Sequence, residues 1–142
     1  MRPAKFQKDL AQAKQDISSG DPVKRAMAAV NMGIFGDETI VPNLKRATVD
    51  ASEAVRVSAL YSLVLLGEKE FVAKLIPYLS HDRHQFRKLS RTALFETTGQ
   101  SLPEESAPQD DFKKAGSEFD GWWRAHSAKA NWDKAGKRWV VV

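Results

Sequence analysis

A period of 31 residues runs through this chain from about residue 4 to residue 99 and narrows the folds open to it. Gly67 lies 31 residues after Gly36, and the segments before them superpose, "DPVKRAMAAVNMGIFG" on "SEAVRVSALYSLVLLG". At that offset Arg25 meets Arg56, Ala28 meets Ala59, Met32 meets Leu63 and Phe35 meets Leu66. A further step carries Arg56 onto Arg87, Val55 onto Phe86 and Leu63 onto Leu94 in "QFRKLSRTALFETTG", with one residue more before Gly99. The intervening segments move in step as well. Ile40, Val41 and Leu44 match Phe71, Val72 and Leu75, and Leu10 and Ala13 lie one period earlier.

Each period reads as a helical hairpin: 4–18 with 22–35, 38–48 with 53–66, and 69–79 with 83–97. Asp21-Pro22 offers an N-cap residue followed by a proline at the first helical position. Gly36, Gly67 and Gly99 are suited to close helices, and "HD" at 81–82 to open one. Pro42 fits an opening turn, whereas Pro77 is expected to bend or shorten its helix. Hairpins recurring at such a period cannot bury their apolar faces alone, so they stack on their neighbours as a solenoid. The stretch Ser52–Gly67 is apolar most of the way round, which suits a helix with a neighbouring hairpin on either side.

The pattern D/S-x-x-V/K-R-x-x-A-x-x-x-L-x-x-L/F-G, as in "SEAVRVSALYSLVLLG", resembles the second helix of HEAT repeats. Its short period is similar to the compact bacterial HEAT-like form, seen also in phycobilisome lyase-type proteins. The resemblance covers about 21–99 well and 4–20 more weakly. It implies an all-α, right-handed α-solenoid acting as an interaction scaffold, with no shared catalytic residue. In that family the recurring arginine braces the turn between repeats, often against an aspartate. Arg25, Arg56 and Arg87 would take that part here, with Asp21, Asp50 and Asp82 near the turns. The expected organisation is a repeat domain over 1–99, with units of about 4–36, 37–67 and 68–99, and 100–142 as its acidic loop and cap.

Beyond Gly99 the composition changes. "QSLPEESAPQDDFKK" reads as a long surface loop, and "SEFDGWWRAHSAKANW" as a helix with Phe119, Trp122 and Trp123 on one side. "KRWVVV" is a β-prone stub with nothing obvious to pair with. A "TGQ" turn before a tryptophan-rich helix again resembles compact bacterial HEAT-like proteins. We expect this tail to pack back on the repeats, capping the last hairpin or lying in the groove over Val57, Tyr61 and Val64. The acidic loop would then neutralise Arg83, Arg87, Lys88 and Arg91.

Composition excludes some chemistry. With no cysteine there is no thiolate nucleophile or thiolate metal site. His81 and His84 lack further ligands at a standard zinc spacing and read as capping and surface histidines, so no metal is expected. The pairs Glu104–Glu105 and Asp110–Asp111 lie in a segment without apolar walls that would raise a carboxyl pKa. No nucleophile elbow, Walker sequence or dinucleotide fingerprint occurs, so neither enzyme activity nor a cofactor is expected. The charged N-terminal stretch lacks an apolar signal core, and no run is long enough to span a membrane. The default compartment is the cytoplasm.

The partner surface expected is the groove of the second helices, with Val57, Tyr61 and Val64 as apolar anchors and Arg83, His84, Lys88 and Arg91 as basic contacts. It would hold a protein or peptide, and the basic contacts would suit an acidic one. Two other readings stay open. One is nucleic-acid binding through a basic concave face, as in HEAT-like DNA-repair proteins, for which a net charge of +4 is modest beside an internal acidic loop. The other is an accessory, lyase-like role in pigment attachment, which rests on the family resemblance alone. An uncovered groove would also favour oligomerisation.

Overall fold

The computed structural model describes residues 4–36 and 38–141, with side chains from residue 8 onward. The boundaries expected at residues 1, 37 and 142 lie outside these residues. The chain divides into two compact units, Met1–Leu66 and Gly67–Val142.

The first unit holds α1 (Ala4–Asp16), α2 (Pro22–Phe35), α3 (Val41–Ala47) and α4 (Glu53–Leu65). Asp21 caps α2 by accepting a hydrogen bond from the Val23 amide at 2.9 Å, and Pro22 opens the helix, as the sequence predicts. Pro42 sits in the first turn of α3, after a 3-10 turn at Glu38–Ile40. The α2 helix packs against both α1 and α4, while α3 lies on α4. Small residues let α2 and α4 approach closely. Ser62 donates a hydrogen bond to the Ala29 carbonyl, and a Cβ at Gly33 would overlap Ser62. Met32, Ile40, Leu44, Val55, Ala59 and Leu63 are sealed from solvent around this contact.

The second unit begins with a broken helix. A 3-10 turn at Lys69–Phe71 leads into α5 (Val72–Leu75), and Pro77 falls in a further 3-10 segment, Ile76–Ser80. The expected helix over 69–79 is therefore shortened, since proline removes an amide donor and clashes one turn back. Next come α6 (His84–Thr98), closed by the left-handed Gly99, and α7 (Gln109–His126). Both α6 and α7 pack on Ile76–Ser80.

The tail corrects the sequence reading in two places. The loop after Gly99 is shorter than expected, because α7 already starts at Gln109. Asp110 and Asp111 lie in its first turn, where carboxylates are favoured by the helix dipole, and Phe112, Gly116, Phe119 and Trp123 form its buried face. The "KRWVVV" stub does find a partner. Strand β2 (Arg138–Val141) pairs antiparallel with β1 (Ala130–Asp133), and Trp132 lies opposite Trp139. The run expected to be helical through Trp132 thus stops at His126, apart from a 3-10 turn at Ser127–Lys129.

A hairpin of two strands is marginal by itself, and here aromatic packing supports it. Trp139 is buried, with Trp132 and Trp123 edge-on at 4.9 and 5.8 Å between ring centroids, and β2 rests on α6. Lys69 Nζ donates to the Ala130 carbonyl at 2.9 Å. Gly67 turns with φ +83°, and a Cβ there would overlap the Trp132 indole. A side chain at that position would meet both backbone strain and a ring.

Candidate interaction surface

The repeated arginines share one backbone contact. Arg25 Nη1 donates to the carbonyl of Ser19 at 2.9 Å, Arg56 Nη1 to that of Asp50 at 2.8 Å, and Arg87 Nη1 to that of His81 at 2.8 Å, each six residues earlier. The same three turn residues also cap with their side chains. Ser19 Oγ, Asp50 Oδ1 and His81 Nδ1 accept from the amides of Asp21, Ser52 and Arg83 at 3.1, 2.8 and 3.0 Å. Positions 19, 50 and 81 are therefore the equivalent turn residues. Of the aspartates expected beside the arginines, Asp50 meets one through its carboxylate, whereas Asp82 meets Arg87 through its backbone carbonyl at 2.9 Å. Asp21 caps α2, and Asp82 Oδ1 accepts from Gln109 Nε2 at 2.8 Å.

Asp50 also accepts both Nε and Nη2 of Arg25, at 3.0 and 3.1 Å. This bidentate pair, aided by the Ser52 amide and opposed by partial burial, holds the Asp50 carboxyl below the ordinary aspartate range. Among the described residues Arg87 has no such carboxylate. Phe112 lies as far along the chain from Arg87 as Asp50 lies from Arg25, and its ring faces the guanidinium at 5.9 Å. The Nε of Arg87 is buried, with no hydrogen-bond partner among the described residues.

The basic stripe of α6 is partly engaged by its own unit. Arg91 Nε donates to the Pro103 carbonyl at 2.6 Å, with its guanidinium 5.3 Å from the Phe95 ring. Lys88 reaches Glu105 at 4.0 Å, an exposed pair. Arg83 is exposed and lies over Phe86 at 5.5 Å, and His84 is exposed. The acid-rich loop thus meets Lys88 through a carboxylate but Arg91 through a backbone carbonyl. His81 stacks on Tyr78 at 5.7 Å, and among the described residues no group of three or more His, Asp or Glu is placed to hold a metal.

The three expected apolar anchors are not on a surface. Val57 and Val64 are fully buried, and Tyr61 is 8% exposed. The expectation of partner contacts there is corrected, because a helix apolar on nearly every face is a core helix. Phe119 and Trp123 are also buried, whereas Trp122 is half-buried, stacked on His126 at 5.2 Å.

A different apolar stripe stands open. On α2, Val23, Met27 and Ile34 are 64%, 62% and 53% exposed, and Val30 between them is half-buried. These four residues follow the i, i+4, i+7, i+11 spacing of one helical face, opposite the buried Ala28, Ala29 and Met32. The sequence carries the signal, since "PVKRAMAAVNMGIF" is as apolar on two sides as Ser52–Gly67.

Among the described residues no helix is long and apolar enough to cross a membrane. A family model described as HEAT repeats matches residues 10–94. No curated protein and no solved structure matches the chain.

Proposed function

The chain belongs to the HEAT-repeat family, and from that premise we propose that it is a non-catalytic protein–protein interaction module that docks its partner on the outward face of α2. The observation that carries this reading is the exposed stripe of Val23, Met27, Val30 and Ile34. Solvent-facing helix positions are ordinarily polar, and an apolar row of this kind marks an interaction site. A partner would seat apolar side chains along the row, with Lys24 at its flank orienting an acidic group. The shared turn geometry at Arg25, Arg56 and Arg87 supports reading each helical hairpin as one repeat of the module.

Binding of nucleic acid is less well supported, because Arg87, Lys88 and Arg91 already have partners within their own unit. Capture from a native lysate by the wild-type chain and by Met27→Glu, washed at low and high salt, tests the proposal. A protein held by wild type through the high-salt wash and lost by the variant is the expected result. Capture unchanged by the substitution, or capture of nucleic acid alone that salt removes, would overturn it.

A further inference from the structure

We propose that the outward face of α2 pairs antiparallel with the same face of a second copy of this chain. The inference rests on reading that face as the docking surface, and it names the occupant. The stripe is symmetric in its spacing, with steps of four, three and four residues from Val23 to Ile34. Turned end for end, it places Val23 opposite Ile34 of the second copy and Met27 opposite Val30. Each contact then matches a larger side chain with a smaller one, and the spacing is that of a two-helix seam.

Charge selects the antiparallel sense. α2 carries Lys24 and Arg25 in its first turns, no acid in its first turn and no base in its last. Arg25 is committed to Asp50, so Lys24 is the cation beside the seam. Antiparallel pairing brings each Lys24 toward the carbonyl end of the other helix, where a cation is favoured. Parallel pairing would set the two lysines side by side.

The seam is about 16 Å long at 1.5 Å per residue. One stripe of four side chains is a small contact beside the roughly 800 Å² per partner of a stable interface, so the dimer should be weak and dissociate on dilution. The symmetric arrangement closes on itself and leaves no unpaired copy of the stripe.

Sedimentation velocity on the purified full chain over a wide concentration range tests this directly. Wild type should shift from monomer to dimer with concentration. Met27→Glu should stay monomeric with an unchanged melting temperature, since Met27 is 62% exposed. Because the chain has no cysteine, introduced thiols report the register without background. On mild oxidation, Val23→Cys mixed with Ile34→Cys should cross-link much more efficiently than Val23→Cys alone. A dimer indifferent to Met27→Glu, or Val23→Cys chains that cross-link equally well with themselves, would overturn the pairing. So would a chain monomeric at every concentration. If that monomer nonetheless loses a captured protein partner through Met27→Glu, the docking surface stands and self-pairing alone fails.

Discussion

Asp50 has several tasks in one carboxylate. It holds Arg25 through two hydrogen bonds, accepts the Ser52 amide at the start of α4, and through its own carbonyl holds Arg56. Its pKa is lowered in the folded chain, chiefly by the hydrogen bond from Arg25, so the folded state favours the ionised form. A depressed carboxyl pKa contributes stability that is fully present above the unfolded value, near 4. That stability is lost as pH falls from there through the lower folded value. Asp50→Asn should remove one ion-pair partner and cost about 1.5–3 kcal/mol near neutral pH, the range for hydrogen bonds to charged groups. Denaturant midpoints measured from pH 7 downward should show the wild-type advantage shrinking below about pH 4. An advantage that is constant with pH would mean that the charge of Asp50 does not matter.

At the scale of elements, α7 is held by a row of buried side chains. Phe112 is 1% exposed, and its ring also faces the Arg87 guanidinium. Phe112→Ala should cost about 3–5 kcal/mol, as for other buried aromatics. By contrast Phe95→Ala, at a residue 41% exposed, should cost much less. Equal losses in a chemical denaturation series would show that α7 is not anchored through Phe112. The helices of the first unit were legible because caps and apolar spacing agree locally, as at Asp21-Pro22. The start of α7 was not, since Asp110 and Asp111 look like loop composition until Phe112, Phe119 and Trp123 have a surface to meet. Strand β1 hid in a run with helical spacing, where four residues are too few to settle a period. The candidate surface was legible only in part. The cations of α6 can be read as a run, but their contacts with Pro103 and Glu105 depend on where the loop lies. Likewise, exposure separates the stripe on α2 from the buried Val57, Tyr61 and Val64, and exposure depends on neighbours that the local sequence does not identify.

For the whole molecule, net charge alone is a poor guide to partners. The chain carries +4, but six of its 18 acids fall between residues 104 and 120, after the cations of α6. Glu105 reaches Lys88, and the Pro103 carbonyl occupies Arg91, so only part of the basic run faces solvent without such a contact. Binding to duplex DNA gains from each phosphate neutralised and weakens with salt in proportion to the counterions released. We therefore expect weak retention of wild type on duplex DNA at low salt and none near physiological salt. Replacing Glu104 and Glu105 together by glutamine makes the chain two charges more positive and releases Lys88. That variant should bind DNA more tightly at low salt and show a steeper salt dependence. If DNA uses this run, Arg83→Ala and Lys88→Ala should reverse the gain, whereas Met27→Glu, on α2, should affect protein partners through lost apolar packing. Wild-type binding to duplex DNA that survives physiological salt, and is lost on Lys88→Ala, would instead make the face of α6 the functional surface.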